Sequence, residues 1–361
     1  MRMTTTRPSR GQKIIKWVVA TVFLVLVLPL VPYALDAYAD KSAVPAASSS
    51  VPSPGAELWR AVRQRDGIVS GTTQARGVDA GTLINPAGEE WRDYRINKLI
   101  PYSAYIFGAM LAVFLIYYLV RGRIRIKDGR SGVLIPRFTL FARWVHWVGA
   151  VTFMILAFTG LVLLYGKLVL IPILGPEGFG VTASVGKWLH DVTSPLFIVA
   201  LVFMIFTFLK ESLINFKVDM MWFLRAGGYL GGKHPSAEKV NAGQKLWYWA
   251  VALGGLAIVA SGLVMYFPNF EQGRQLIQDS HMIHTLASVF VISFMIVHIY
   301  LASFGVEGAL ECMTTGYCDS NWAKEHHDLW YAEMEKEGKI GTTFESEQQA
   351  SATAAAKPTE G

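Results

Sequence analysis

The sequence predicts an all-α membrane protein, a four-helix transmembrane bundle preceded by one additional transmembrane helix. Of its 361 residues, 52% are hydrophobic and only 17% are charged, whereas a soluble domain of this length carries about a quarter charged residues. The apolar residues form six long runs, each close to the roughly 20 residues that cross a bilayer as a helix. No alternating barrel pattern is present, so the runs are predicted to be helices. The six spans are 17–39, 99–120, 144–165, 189–209, 246–267 and 281–304.

The first span has the layout of a secretory signal peptide, which we predict for residues 1–39. Five basic residues and no acid precede an apolar run, and the small-residue pattern Ala37-Tyr38-Ala39 follows it. An uncleaved N-terminal anchor is the alternative, because the apolar run is long. In either case residues 40–98 would lie outside the cytoplasm. They comprise an Ala/Ser/Pro linker and a mixed-charge segment, which is either a small docking segment or a solvated loop.

The distribution of basic residues orients the remaining spans, of which 99–120 is the additional transmembrane helix. The segment 121–143 contains seven Arg and Lys residues and the loop 210–245 contains six, whereas the loops 166–188 and 268–280 contain two and one. Cytoplasmic loops carry an excess of Lys and Arg. The alternation predicts an up-and-down bundle. Its parts are a cytoplasmic basic linker at 121–136, a four-helix domain at 137–310 and a cytoplasmic tail at 311–361.

Four histidines lie inside the last four spans, where ionisable residues are costly and usually functional. His284 and His298 are separated by four helical turns, roughly 21 Å, with an angular offset of only some 40°. They therefore face the same way at two depths. His281 is offset from His298 by about 100° and fits an interfacial role. His146 lies near the cytoplasmic end of its span, level with His298, and His190 lies near the outer end, level with His284.

Two histidine pairs at two depths are what two bis-histidine haems require. A neutral imidazole ligates haem iron, and bundle cores hold such cofactors. A single intramembrane histidine is more often a hydrogen-bonded packing residue, so it is the pairing of four that favours haem. Five glycines on these helices are more simply explained as helix-packing residues. They are Gly149, Gly160, Gly254, Gly255 and Gly262.

Two loop motifs invite a functional interpretation. In NAGQK, 241–245, the residues Asn241, Gly243 and Gln244 would suit the head group of a quinone. An ordinary helix start capped by Asn241 explains them at least as well. GGYLGGKH, 227–234, nearly matches a phosphate-binding loop. It lacks the final Ser or Thr and a preceding strand, which excludes a nucleotide site.

The segment 322–339, WAKEHHDLWYAEMEKEGK, has an amphipathic, charged pattern that predicts a surface or docking helix. Its adjacent residues His326 and His327 would face different ways on a helix, which disfavours a metal site. Cys312 and Cys318 are predicted to be reduced thiols. The basic residues flank apolar spans and form no nucleic-acid-binding face.

A set of six short motifs, in this order and spacing, resembles the cytochrome b (gamma) subunit of membrane-bound respiratory formate dehydrogenases in a long, N-terminally extended form. The resemblance covers the segment from 137 to 340. The motifs are RWVHW (143–147), KWLHDVTSP (187–195), NAGQK (241–245), IHTLAS (283–288), VHIYLASF (297–304) and WAKEHHDLWY (322–331).

This resemblance implies a membrane-anchoring subunit that holds two b-type haems, one near each membrane surface, and reduces quinone beside the inner haem. The haem ligands it implies are His190 with His284 for the outer haem and His146 with His298 for the inner haem. The quinone-site residues it implies are Asn241, Gly243 and Gln244, with the ring of His298 nearby.

The resemblance also implies partners and a location. An iron–sulfur (beta) subunit and a molybdenum or tungsten catalytic (alpha) subunit would deliver electrons from formate, and this chain would perform no formate chemistry. The heterotrimer would form a higher oligomer in the bacterial cytoplasmic (inner) membrane, with a cytoplasmic C-terminus. A cytochrome b subunit of a nickel–iron hydrogenase or of another molybdoenzyme is the alternative. A haem-free transporter with a histidine proton relay is less favoured, because the middle of every span lacks charged residues.

Overall fold

The computed structural model describes residues 69–70, 82–84, 86–229, 234–267, 272–344 and 346. The signal-peptide prediction for 1–39, and most of the segment 40–98, fall outside these residues. In the described part of the chain the helices are α1 Pro86–Tyr94, α2 Ile100–Arg121, α3 Leu140–Val169, α4 Ile171–Phe208, α5 Phe216–Leu224, α6 Ala242–Tyr266, α7 Arg274–Ile299, α8 Ala309–Thr314, α9 Ser320–His326 and α10 Asp328–Lys336. The strands are β1 Val69–Ser70, β2 Thr82–Ile84, β3 Leu134–Pro136 and β4 Tyr317–Asp319.

Five of the described helices are long and apolar enough to cross a membrane, which confirms the predicted multi-pass helical class. They are Gly88–Arg121, Leu140–Val169, Ile171–Phe208, Ala242–Tyr266 and Arg274–Gly305. The first joins α1 to α2 through a π-helical turn at Arg95–Leu99. Large apolar side chains on α2 are exposed, up to 84% at Val120. Lipid solvates such a surface, whereas water would not.

The connection between α3 and α4 is more helical than the sequence suggested. Residues 166–188 were expected to form a loop, but α3 continues to Val169 and α4 begins at Ile171. A break lies within α4 at Gly175, whose φ of 74° is left-handed. Glycine adopts that conformation without strain, and Pro176 follows at a position where its fixed φ starts a new helical turn. The Gly-Pro pair therefore ends one short helix and begins a longer one.

The described residues divide into two compact units. One comprises the described residues up to Ile100 together with Thr152–Val199 and Ser261–Met282. The other comprises Pro101–Val151, Ala200–Ala260 and Ile283–Gly361. Each of the helices α3, α4, α6 and α7 contributes residues to both units.

The basic linker and the tail pack together in the second unit. Strands β3 and β4 pair antiparallel, with Ile135 opposite Cys318, and both side chains are fully buried. They belong to an apolar core that includes Trp322 and Trp330. The segment 322–339, expected to be a surface or docking helix, forms two short helices with one face buried against the linker and the other exposed. This buried face explains the amphipathic pattern.

Arg137 closes this core with its guanidinium group, and the residue is only 4% exposed. The group lies 4.9 Å from the ring centroid of Trp322 and 5.5 Å from that of Trp330. Its Nη2 donates to the carbonyl of Lys239 at 2.5 Å and lies 3.1 Å from Nε2 of His327. Cation–π contacts of this kind strengthen when they are removed from water. Arg137 thus joins linker, tail and the loop before α6.

The additional helix α2 contacts other parts of the second unit. The ring of Phe114 lies 5.0 Å from that of Tyr300, where α7 continues into a π-helical turn at Tyr300–Gly305. The hydroxyl of Tyr117 donates to the carbonyl of Tyr229 at 2.6 Å. Aromatic pairs stabilise beyond the area they bury. These contacts attach α2 to the chain segments around the end of α7.

Candidate functional site

The structure brings His146 of α3 and His298 of α7 together in the second unit. Their ring centroids are 6.2 Å apart. Nδ1 of His146 is buried and has no hydrogen-bond partner. Two imidazoles bound on opposite sides of one iron, at about 2 Å each, have ring centroids about 6 Å apart. The pair therefore has the separation that a bis-histidine haem requires.

The ring of His298 is held in orientation by Trp247 of α6. The two rings stack at 16° with their centroids 5.0 Å apart. His298 also lies two residues before the π-helical turn at Tyr300–Gly305. The stacking on Trp247 orients the imidazole of His298.

Glycines allow the helices that carry these residues to approach closely. A Cβ atom added at Gly149 would lie 2.3 Å from Cε of Met204, and one added at Gly254 would lie 2.5 Å from Cγ2 of Val291. The terminal methyl of Met204 can move aside, whereas the branched side chain of Val291 has less freedom. Gly254 therefore serves helix packing, as small residues commonly do in membranes.

His190 of α4 lies in the first unit, beside a hydroxyl that selects its tautomer. Its Nδ1 is 2.8 Å from Oγ1 of Thr159, and that hydroxyl is 2.9 Å from the carbonyl of Ile155. The hydroxyl donates to the carbonyl and so accepts from Nδ1–H. Metal-ligating histidines commonly donate their other ring N–H in this way. A Cβ added at Gly160 would lie 3.7 Å from Cε1 of His190, so this glycine lies beside the imidazole.

His284 of α7 lies in the second unit and has the same arrangement at Nδ1. That atom lies 3.0 Å from the carbonyl oxygen of Ile258 on α6. A carbonyl only accepts hydrogen bonds, so Nδ1 carries the proton and Nε2 carries the lone pair. By contrast, His281 packs its ring 6.0 Å from that of Trp91. His281 is therefore held by an aromatic contact, in keeping with its expected role outside the ligand set.

The NAGQK turn forms a capping box at the start of α6. The backbone N–H of Asn241 donates to Oε1 of Gln244, and the backbone N–H of Gln244 donates to Oδ1 of Asn241, each at 3.0 Å. Such reciprocal bonds satisfy two donors that a helix N-terminus leaves without partners. A Cβ at Gly243 would lie 2.7 Å from the Trp222 ring. Trp247 follows Gly243 by one helical turn and so lies on the same face.

A buried ionic cluster beside this turn was not foreseen from the sequence. Nζ of Lys245 lies 3.0 Å from both carboxylate oxygens of Asp219 and 2.7 Å from Oε2 of Glu238. Lys245 is only 2% exposed. Burial opposes ionisation of Glu238, but hydrogen bonds from Lys245 and Asn215 outweigh it and lower its pKa below the ordinary value. No pattern in the sequence indicated that the ammonium of Lys245 is buried.

The cluster borders a cavity of about 930 Å³. Glu238 and Asn215 form part of its wall, together with Lys239, Glu211 and Glu333. The carboxylate of Glu238 thus faces both the cavity and the buried ammonium of Lys245. The ion pair between Glu238 and Lys245 therefore connects the wall of the cavity to the start of α6.

Two histidines at this separation on α3 and α7 could hold a haem, as in a membrane cytochrome, and a haem held by such ligands without covalent attachment is of the b type. The comparisons with known proteins agree. Residues 137–316 match the family model of prokaryotic cytochrome b561.

Relatives with curated names are formate dehydrogenase subunits. The chain is 31% identical over 208 residues to the nitrate-inducible formate dehydrogenase cytochrome b556(Fdn) subunit of Escherichia coli K12, covering 56% of this chain and 93% of the relative. It is 29% identical to the cytochrome b556(fdo) subunit of the same strain, covering 56% and 94%. It is 26% identical to the formate dehydrogenase cytochrome b556 subunit of Haemophilus influenzae, covering 56% and 89%. The chain belongs to the family of formate dehydrogenase cytochrome b subunits.

Proposed function

We propose that this subunit holds two b-type haems and passes electrons from an iron–sulfur subunit through the membrane to quinone. Haem supplies a one-electron carrier when it is bound. The observation that carries the proposal is the separation of 6.2 Å between the rings of His146 and His298. These two side chains would hold the inner haem. The stacking of Trp247 on His298, which orients the imidazole of His298, supports this assignment.

His190 and His284 would hold the outer haem. Hydrogen bonds from Nδ1, to Thr159 in one case and Ile258 in the other, orient both rings and select the tautomer that ligates through Nε2. The sequence places both histidines near the outer ends of their spans, which supports the pairing. In the same proposal, a separate catalytic subunit oxidises formate.

Quinone would bind at the start of α6, near Asn241, Gly243, Gln244 and His298. Gly243 is the second residue of α6, so its N–H has no acceptor within the helix. That donor, and the amide of Asn241, suit a quinone carbonyl. Trp247 supports this placement, because it lies one turn beyond Gly243 and stacks on His298. The site would open to the cytoplasmic side of a bacterial inner membrane, where the tail would also lie.

Haem content of ligand variants tests the proposal. In the purified complex, His146→Ala and His298→Ala should each remove the same b haem, and His190→Ala and His284→Ala should each remove the other. The measurement is a reduced-minus-oxidised absorption spectrum with haem quantified in a pyridine extract. His281→Ala is the matched control on α7 and should keep the wild-type haem content.

Two results would overturn the assignment. A preparation with all helices folded but only one haem per chain would remove the two-haem proposal. Loss of different haems from His146→Ala and His298→Ala would remove the pairing.

A further inference from the structure

A second group of histidines lies outside the bundle helices, where the loop after α5 meets the tail. His234 belongs to the loop, and Glu325 and His326 end helix α9. Each of the three offers one ligand atom, and these atoms all lie within 4.8 Å of one another. Residues far apart in the sequence thus converge on one point in the second unit.

The distances approach those of a metal site. Nε2 of His234 lies 3.5 Å from Oε1 of Glu325, and the ring centroids of His234 and His326 are 4.3 Å apart. Ligands bound to one zinc ion at about 2.0–2.2 Å in tetrahedral geometry lie about 3.3–3.5 Å from each other. The His234–Glu325 distance is already within this range. The ligand atoms of all three residues lie within 4.8 Å of one another, so binding of one ion would draw the remaining atoms closer.

The ring of His234 is fixed for ligation. Its Nδ1 lies 3.0 Å from the carbonyl oxygen of Gly227. The carbonyl accepts, so Nδ1 carries the proton and Nε2 presents its lone pair toward Glu325. Donation of the second ring N–H to a backbone carbonyl is the usual support for a metal-binding histidine. A Cβ at Gly228 would lie 3.0 Å from Nδ1 of His234, so a glycine there permits this close approach.

The other two side chains carry polar atoms that the protein itself leaves unsatisfied. His326 is 7% exposed, and its Nε2 is buried without a hydrogen-bond partner. Oε1 of Glu325 is also buried without one, although the half-exposed ammonium of Lys127 lies 3.6 Å away. Buried polar atoms are rarely left without a partner. A cation between these atoms would satisfy both.

The neighbouring His327 shows what a satisfied histidine looks like in the same place. Its Nδ1 donates to the carbonyl of Glu238 at 2.6 Å, and its Nε2 accepts from Arg137 at 3.1 Å. Both ring nitrogens are used, so His327 has no lone pair to offer a metal. The contrast with His326 separates a structural role from a ligand role within one His-His pair. The sequence-based objection to a site at this pair therefore applies to His327 but not to His326.

We propose that His234, Glu325 and His326 bind a divalent transition-metal ion. Two imidazoles and one carboxylate are a ligand set that suits Zn²⁺, with water in a fourth position. The ion would connect the loop before α6 to the cytoplasmic-side tail. It would thereby hold in place the loop from which the capping box of α6 begins.

Zinc retention tests the proposal. The purified, haem-loaded complex is stripped with a chelator, equilibrated with Zn²⁺ alone and desalted, and zinc per chain is measured by mass spectrometry. Wild type should retain one additional zinc ion per chain over the stripped sample. Glu325→Gln and His326→Ala should each lower the affinity for Zn²⁺ at least about tenfold, as loss of even a supporting group does at metal sites. Glu333→Gln, an exposed glutamate on α10, is the matched control and should bind as wild type does.

The haem spectrum of each variant serves as the check on folding. If His326→Ala fails to assemble, Glu325→Gln changes little in size and carries the comparison. Wild type that retains no zinc in excess of the stripped sample would overturn the proposal. So would a haem-loaded Glu325→Gln variant that binds Zn²⁺ as tightly as wild type, because the three residues would then be hydrogen-bonded neighbours only.

Discussion

At the scale of single residues, Asn241 caps helix α6 and, in the proposed function, would also bind quinone. One substitution separates these two roles. Its side-chain oxygen caps α6, whereas its side-chain N–H₂ would donate to quinone. An aspartate at this position would cap the helix as well as asparagine does, but it offers no N–H₂ and adds a negative charge. We therefore expect Asn241→Asp to fold with a normal haem spectrum and to lower kcat/KM for quinone by about five- to tenfold, since a lost hydrogen bond costs about 1–1.5 kcal/mol.

The measurement is formate-dependent reduction of a soluble quinone analogue by the assembled complex. Reduction of the haems by formate serves as the control, because it precedes the quinone step. If Asn241→Asp reduces quinone as wild type does, the residue is a helix cap only.

The candidate-site residues that could be predicted from the sequence are polar side chains inside apolar membrane spans. A histidine inside an apolar run is costly, so His146 and His298 were identified by type and by helical period. Lys245 and His234 were not, because each follows an ordinary loop pattern. What makes Lys245 notable is its burial against Asp219 and Glu238, and what makes His234 notable is its approach to Glu325. Neither contact can be predicted from a repeating pattern in the sequence.

Among the elements, the short helix α9 depends on an acidic N-cap. The carboxylate of Asp319 accepts from the backbone N–H groups of Asn321 and Gly132, at 2.9 Å each, and from the hydroxyl of Ser131 at 3.0 Å. Burial raises the pKa of this carboxyl group, but the hydrogen bonds outweigh it and hold the pKa below its ordinary value. A charged cap of this kind also complements the helix dipole.

The lowered pKa of Asp319 makes the attachment of the tail acid-sensitive. A carboxylate with a depressed folded-state pKa stabilises fully above its unfolded pKa, about 3.9, and loses that contribution as the pH falls through the folded-state pKa. We expect Asp319→Ala to lower the free energy of unfolding by about 1–2 kcal/mol at pH 7. The difference from wild type should shrink as the pH falls below about 4.

Thermal unfolding measured across this pH range gives the comparison, with Asp128→Ala in the linker as an exposed control. A difference between Asp319→Ala and wild type that stays constant down to the lowest pH would contradict the charge-based explanation.

The elements also show where reading the sequence fell short. Helical spans were predicted well because apolar length suffices to identify them. The helical extension of α4 toward Ile171 was not, since it depends on a Gly-Pro break that separates two helices without a loop. The amphipathic pattern of the tail predicted a surface or docking helix but did not show where its apolar face packs. Trp322 and Trp330 pack the tail into an apolar core with the linker. This packing depends on tertiary contacts, which the sequence pattern does not show.

At the scale of the whole molecule, an odd number of spans in the described chain predicts that the residues before α2 and the tail face opposite sides of the membrane. Exposed positions on each side make this measurable. Glu90→Cys, on α1, should react with a membrane-impermeant maleimide on intact spheroplasts. Glu335→Cys, on α10, should react only after the membrane is permeabilised, as the positive-inside distribution requires.

Background labelling of the native cysteines should be low, because both thiols are buried. Cys312 and Cys318 are the two cysteines of the chain, and they are 1% and 0% exposed. Unmodified protein is therefore the control and should label slowly on both sides. Labelling of Glu335→Cys on intact spheroplasts would reverse the predicted orientation, and equal labelling of both variants would argue against a single topology.

The pairing of β3 with β4 closes the chain on itself. Leu134 lies opposite Asp319 in that ladder, so the two ends of the segment between them are hydrogen-bonded neighbours. The family model spans nearly this same segment, 137–316. Domains with adjoining ends tolerate insertion into other chains and circular permutation. Because the ends of this segment adjoin, the linker that follows α2 enters the segment beside the point where the tail leaves it.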